Sequence, residues 1–261
     1  MQNENTVLAS RFHEYFKIGL AQTQADLEKT YRIRYRVYCD EFSYLPAEDY
    51  PDGLESDEYD SFSSTCLITH RLTNMPAACV RLVPAINGSG SEYPLPYELL
   101  RPNVLDEDFH RQLDVPRDKI AEISRLAVDG AFRRRTGEAE TRFGEIDALD
   151  IDSMEKRTFG LISVAAFLAS CAMGELHKFS AGFAMMEPFL PRLMQRSGIH
   201  FTKVGTDIDY HGLRAPYYVE LGSVLESMRP DLRLFYKSVY QAISVDFGAQ
   251  STPTASLRAG T

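Results

Sequence analysis

The chain has 261 residues, 44% hydrophobic and 25% charged, the balance of a globular protein long enough to bury a substantial core. Its formal net charge of −9 argues against a general nucleic-acid binder, which carries a basic excess. It contains no apolar run of 18 residues, so no membrane span is expected.

In chain order, residues 9–20 read as a short amphipathic helix. Residues 24–38 read as a second, with Leu27, Tyr31, Tyr35 and Tyr38 at three- and four-residue spacing. Residues 39–61 are rich in carboxylates and broken by Pro and Gly, the composition of a long loop. Strands are predicted over 62–71 and 77–84, joined by a hairpin turn at Thr73-Asn74-Met75-Pro76. Residues 86–118 mix turns and short helical pieces. Residues 120–128 alternate apolar and polar types as a central strand does. A charged stretch over 129–156 precedes the best helix, 157–177. Then come a strand (179–186), a helix (188–197), two strands (200–204 and 215–221) and a helical segment (222–245). The small, polar residues 248–261 read as a disordered tail, leaving 1–247 as one domain. Helices alternating with strands behind an initial hairpin predict an α/β architecture with a mixed sheet.

Cys39, Cys66, Cys79 and Cys171 are scattered, with no C-x-x-C pair, so zinc and thiol-redox motifs have little support. Four reduced thiols suit a cytoplasmic protein, and the N-terminus lacks an apolar core of signal-peptide length. The six histidines are dispersed, and neither Gly-x-Ser-x-Gly nor a Cys–His signature is present, which disfavours nucleophilic catalysis. His211, beside Gly212, reads as a turn residue.

Four patterns carry chemistry: Arg34 to Tyr38 with Tyr44 beyond, Glu55-Ser56-Asp57-Glu58-Tyr59-Asp60, Arg81-Leu82-Val83-Pro84, and Glu122-Ile123-Ser124-Arg125. Singly, each also fits a solvated loop or a half-exposed strand. Glu122 and Ser124, two residues apart, face one side of a strand, with Arg125 on the other. Together and in this order they resemble the acyl-homoserine-lactone autoinducer synthases. Arg34 and Tyr38 match that family's first Arg and aromatic, and Tyr44 stands where it usually has Trp. Glu55, Asp57 and Asp60 match its Glu-x-Asp-x-x-Asp pattern. Arg81 to Pro84 match its Arg-Leu-hydrophobic-Pro strand, and Glu122, Ser124 and Arg125 its Glu-x-Ser-Arg element. The likeness covers roughly residues 30 to 130. The longer gap between Arg81 and Glu122, with Tyr93-Pro94-Leu95-Pro96-Tyr97, and the greater length look more like N-acyl amino acid synthases. They look most like the acyltransferases associated with PEP-CTERM/exosortase systems.

The resemblance implies a GNAT-like (acyl-CoA N-acyltransferase) fold, a mixed central sheet flanked by helices. It also implies an acyl carrier protein or coenzyme A thioester as donor substrate, a small amine acceptor and no bound cofactor or metal. Amine attack on a thioester needs a proton acceptor. Glu122 is the first expectation and Glu55 the second, with Ser124 beside them. Asp57 and Asp60 are expected to pair with Arg34, Arg81 and Arg125, or to bind the acceptor. A strand bulge near Leu126 to Val128 would supply backbone donors for an oxyanion. Arg134-x-x-Gly137-x-Ala139 matches the GNAT pyrophosphate loop, so Arg133, Arg134, Arg135 and Gly137 are expected at the donor, or else phosphate sits at the start of the following helix, near Lys156 and Arg157. These cations would also suit an acidic carrier. Phe159, Leu161, Ala165, Phe167, Leu168, Phe183, Met185, Met186 and Phe189 are the expected acyl-tunnel residues or, failing that, simple core. Two alternatives remain open: an autoinducer synthase using S-adenosylmethionine, and a non-catalytic acyl-carrier binding module.

Overall fold

The computed structural model describes residues 11–100, 106–133, 153–195 and 198–250. Residues 11–15 form a helical turn that runs into strand β1 (Phe16–Leu20). Helix α1 (Gln24–Tyr35) starts at Thr23, whose side chain accepts from Asp26 N–H, and it carries Arg32 and Arg34 in its last turn, where cations favour the helix dipole. A π-helical turn, Arg36–Glu41, prolongs it. The hairpin strands β2 (Ser64–His70) and β3 (Pro76–Pro84) follow, then the short helix α2 (Glu107–Gln112) and strand β4 (Ile120–Val128). Helix α3 (Ser153–Leu176) leads to β5 (Ala181–Met186) and α4 (Phe189–Gln195). Short strands β6 (Thr202–Lys203) and β7 (Ile208–Asp209), the longer β8 (Leu213–Glu220), and helices α5 (Leu221–Ser227) and α6 (Pro230–Gln250) complete the chain.

The sheet runs in the order β1-β2-β3-β4-β5-β8-β6, with β7 paired to β8 off that path. Neighbours are antiparallel except β4 and β5, which are parallel and so need a crossover, supplied by α3. Strand β3 shows how the faces divide. Ala78, Val80 and Leu82 join the core under α3 and α6, while Cys79 and Val83 belong to the clusters on the opposite face. Helix α3 lies close to the sheet because Ala165, Ala166, Ala169 and Ala172 are all fully buried. Helix α1 covers the other face of β2, β3 and β4, with Ile33, Val37 and Tyr38 packed on Leu67, Cys79 and Ala127. All four cysteines are buried free thiols. Among the described residues no helix is long and apolar enough to cross a membrane.

Several elements depart from the sequence-based expectation. The helix expected over 9–20 stops at residue 15, and Phe16 to Leu20 pair in register with His70 to Cys66. Two-residue alternation of Phe16, Ile18 and Leu20 fits a strand as well, and the open edge of β2 decides between them. The helical segment expected over 222–245 is present as two helices, parted before Pro230. Helix α6 continues through 248–250, the start of the expected tail, and 251–261 lie outside the described residues.

Phe16 is fully buried, and its ring meets Phe12, Phe132 and Phe159 at 5.2, 5.9 and 5.9 Å between centroids. Phe16→Ala is expected to cost about 3–5 kcal/mol, read as a fall in the urea unfolding midpoint without a change in slope.

Candidate active site

Strands β4 and β5 pair only from Ile120↔Ala181 to Glu122↔Phe183, although β4 continues to Val128 and β5 to Met186. Beyond Glu122 the strands part, and a cavity of about 520 Å³ opens between them. Glu122, Ser124, Arg125 and Tyr97 line it on the α1 side, and Val164, Phe167, Leu190, Met194, Ile199 and Leu232 on the α3 side. The cavity thus passes through the sheet, polar at one end and apolar at the other. Of the nine expected tunnel residues, Phe167, Met185, Met186 and Phe189 line it. Phe159, Ala165, Leu168 and Phe183 are buried core, and Leu161 packs against the core.

The β3–β4 register slips by one residue. Cys79 pairs with Ala127 but Arg81 with Ser124, so β4 carries an extra residue at Arg125–Leu126. Arg125 adopts φ +51, the left-handed conformation that a bulge can impose. This corrects the expectation that Arg125 faces away from Glu122 and Ser124. The bulge breaks the two-residue alternation, and Arg125 Nη2 reaches Asp57 Oδ2 at 3.1 Å on their side of the sheet.

Arg125 there joins a closed ionic network. Arg34 Nε donates to Glu55, and its Nη1 and Nη2 donate to the two oxygens of Asp60 at 2.7 and 3.0 Å. Arg81 grips Asp57 with both terminal nitrogens at 2.5 and 2.9 Å, reaches Asp60 Oδ1 at 2.9 Å, and donates from Nε to Ser124 Oγ at 3.1 Å. Arg125 Nε meets Glu55 Oε1 at 3.2 Å. The side chains of Arg34, Arg81 and Glu55 are wholly inaccessible. Burial alone would raise the Asp60 carboxyl, but Arg34, Arg81 and the Asp57 N–H hold it down at about 2. Glu55 does not line the cavity. It serves as the buried counter-ion of Arg34 and Arg125, which separates it from Glu122.

Glu122 is 3% exposed. Burial pushes its carboxyl up to about 8, Glu98 adds to the rise, and the Tyr97 N–H, Arg81 and Arg125 oppose it. The Tyr97 N–H donates to Glu122 Oε2 at 2.9 Å, and the Tyr97 ring stacks on Phe183 at 4.9 Å. The same ring pair therefore holds a backbone donor against the carboxyl and closes the vertex of the cleft. Sequence reading missed Tyr97, although Pro94 and Pro96, which fix the approach of the chain, mark its place.

An aromatic wall forms the polar end. Tyr38 donates from its hydroxyl to Leu126 O at 2.9 Å. Tyr44 stacks on Phe42 and lies 5.2 Å from His211, and the Arg214 guanidinium stands 5.3 Å from the Tyr44 centroid and 5.8 Å from that of Tyr210. His211 and Gly212, at φ +56 and +93, make the tight β7–β8 turn that carries Arg214 inward. His211 was expected in a turn, but neither it nor Arg214 carries a motif that marks it as a cavity residue.

Leu126 and Val128 line the cavity. Arg133 departs from its expected donor-binding role. It is buried, ion-paired with Glu41 and set 4.8 Å above the Phe42 ring, because its aliphatic stem and flat head pack well against an aromatic face. Arg134, Arg135 and Gly137 lie outside the described residues. The backbone of Lys156 and Arg157 falls in the first turns of α3, and their side chains lie outside the described part.

Residues 33–141 match the family model described as an acetyltransferase (GNAT) domain. No curated protein sequence matches the chain. Among solved structures, TofI in a ternary complex with an inhibitor and MTA aligns with a TM-score of 0.55 at 18% identity, covering 84% of this chain and 99% of that one. BjaI, a CoA-dependent acyl-homoserine lactone synthase with SAM and isopentyl-CoA, aligns with a TM-score of 0.57 at 16% identity, covering 86% and 89%. FeeM, an N-acyl amino acid synthase from uncultured soil microbes, aligns with a TM-score of 0.52 at 11% identity, covering 82% and 94%. The chain has the GNAT fold, a mixed sheet flanked by helices, as the family match and these structural likenesses show.

Arg34→Met leaves Glu55 to Arg125 alone and Asp60 to Arg81 and the Asp57 N–H, and is expected to cost about 3–5 kcal/mol in urea unfolding. Arg125→Met is expected to cost less, because the Arg125 side chain keeps 22% exposure. Glu122 is raised in the folded state from 4.5 to about 8, so between these values the folded form holds a proton that the unfolded form has lost. Its contribution is whole below about pH 4.5 and declines as pH rises to about 8. Wild type is therefore expected to lose stability relative to Glu122→Gln across that window, measured by unfolding both at a series of pH values.

Proposed function

We propose that this chain is an N-acyltransferase that moves a long fatty acyl group from a thioester donor to the amine of an amino acid or related small molecule. The observation that carries the reading is Glu122, a buried carboxyl poised near neutrality at the vertex of a cleft whose far end is apolar. The acyl chain lies among α3, α4 and Leu232, and the amine stands on the α1 side. The amine nitrogen attacks the thioester carbonyl as Glu122 takes its proton. The C–N bond forms, the C–S bond breaks, and the proton passes to the departing thiolate. The bulge at Arg125–Leu126 leaves backbone groups outside the β ladder, and these serve the developing oxyanion near Leu126 and Val128. Ser124, held by Arg81, borders the acceptor. The ionic network positions α1 and the loop after it and makes no bond to substrate.

The donor is acyl carrier protein or coenzyme A, which share the phosphopantetheine arm. Its phosphates are assigned to the start of α3, with Lys156 and Arg157, and to Arg134, Arg135 and Gly137 before it. The GNAT family match and the CoA-bound BjaI structure support this. Four buried free thiols support a cytoplasmic setting. The long 86–118 segment, which brings Tyr97 to Glu122, supports kinship with the exosortase-associated acyltransferases. A second reading, an autoinducer synthase, draws on the BjaI likeness. It requires release of methylthioadenosine from S-adenosylmethionine.

Lipids extracted from bacteria expressing wild type are expected to contain a new N-acyl amino acid, absent with Glu122→Gln, by mass spectrometry. No amide from purified long-chain acyl carriers with any amine tested would overturn the reading. Methylthioadenosine release would replace it with the second.

A further inference from the structure

Arg125 and Arg214 both line the cavity, and among the described residues only the first has an ion-pair partner. Arg125 is committed to Glu55 and Asp57. Arg214 is 8% exposed, and among the described residues its Nη2 is buried with no hydrogen-bond partner. The rings of Tyr44 and Tyr210 stand against its guanidinium. Such ring contacts favour the cation, but they do not replace hydrogen bonds to a buried N–H. A charged donor removed from water without an acceptor is costly, so an occupant that supplies an anion answers an existing deficit. The guanidinium presents its donors as a planar fork, the geometry that binds a carboxylate through two oxygens.

We propose that Arg214 binds the carboxylate of the acceptor, so that the acceptor is an amino acid presenting its carboxylate to Arg214 while its amine faces Glu122. This rests on the N-acyltransferase reading and names the specificity determinant within it. The tight β7–β8 turn at His211–Gly212 and the flanking rings hold the guanidinium in place, so little ordering remains to be done on binding. An acceptor with a neutral amide in place of the carboxylate leaves Arg214 unmatched and is rejected.

The test uses the full chain and isothermal titration calorimetry. The probes are N-dodecanoylglycine, N-dodecanoylleucine and N-dodecanoyltyrosine, each beside its own carboxamide. Wild type is expected to bind at least one acid roughly ten- to hundredfold more tightly than its carboxamide. Arg214→Gln is expected to abolish that preference, and Arg214→Lys to keep part of it, with circular dichroism confirming that each variant is folded. If Arg214→Gln does not fold, the wild-type preference and its reduction in Arg214→Lys decide the matter. Equal binding of acids and carboxamides by wild type, no binding of any acid, or a preference unchanged by substitution would overturn the assignment. Weakened coenzyme A binding in Arg214→Gln with the acid preference intact would also overturn it, by assigning the anion to a donor phosphate. Turnover separates the two claims. An Arg214-dependent acid preference without amide synthesis sinks the N-acyltransferase reading and leaves the carboxylate site. Amide synthesis without that preference does the reverse.

Discussion

Three guanidiniums and three carboxylates meet between α1 and the β3–β4 pair, and Arg34, Arg81 and Glu55, closed to water, must find their partners there. Arg34 comes from a helix and Arg81 from a central strand, and neither side chain has any accessible surface. A buried charge costs several kcal/mol unless it is paired and hydrogen-bonded. The loop after α1 meets that requirement through one short, strictly spaced segment. Asp57 accepts from Tyr59 N–H while Asp60 accepts from Asp57 N–H, a reciprocal cap that sets the two carboxylates for Arg34 and Arg81. The network therefore fixes a loop with few apolar anchors of its own, and with it the end of α1 and Tyr38.

Glu122 shows the opposite treatment of a buried carboxyl. Asp60, between two guanidiniums and a backbone donor, is held down at about 2, while Glu122 rises to about 8 although Arg81 and Arg125 both favour its ionised form. The difference lies in who holds those arginines. Each is committed to the acidic loop, so Glu122 feels a cation already matched by an anion, and desolvation dominates. Neutralising Arg34, Arg81 and Arg125 locally is thus also what leaves one carboxyl free to exchange a proton near neutral pH.

Much of this was legible in the sequence, for reasons that particular residues make plain. The limits of β4 are those that the alternation over 120–128 predicts, because a central strand between two packed layers needs β-forming residues along its whole length. The pairing of Asp57 and Asp60 with Arg34 and Arg81 was readable because those residue types are too costly to bury singly. Arg125 was placed on the wrong face because the bulge, expected from the resemblance near Leu126 to Val128, already breaks the alternation at Arg125. β1 was read as helix because a five-residue edge strand is decided by its partner rather than its own pattern. Arg133 was misread because a basic run looks alike whether it faces solvent or folds one member onto a ring. Arg214 lies in no motif, and only the β7–β8 turn brings it to the cavity.

A continuous sheet separates its two layers, since every strand is sealed to its neighbours by hydrogen bonds. A substrate that is polar at one end and fatty at the other can reach both layers only where two strands cease to pair. Here that place follows directly from the register, since β4 and β5 part beyond Glu122 and Phe183. The vertex is also where Tyr97 stacks on Phe183 and donates to Glu122, so that carboxyl stands at the boundary between the two environments. In the proposed reaction the thioester carbonyl must occupy that boundary, with its chain on the α3 side and the attacking amine on the α1 side. The bulge at Arg125–Leu126 lies on the open stretch of β4, beyond the last pairing with β5. In the proposed reaction a backbone donor released from the ladder there would meet the developing oxyanion. Parted strands, raised carboxyl and bulge are thus consequences of one requirement, that a single reacting carbon be reached from both sides of a sheet.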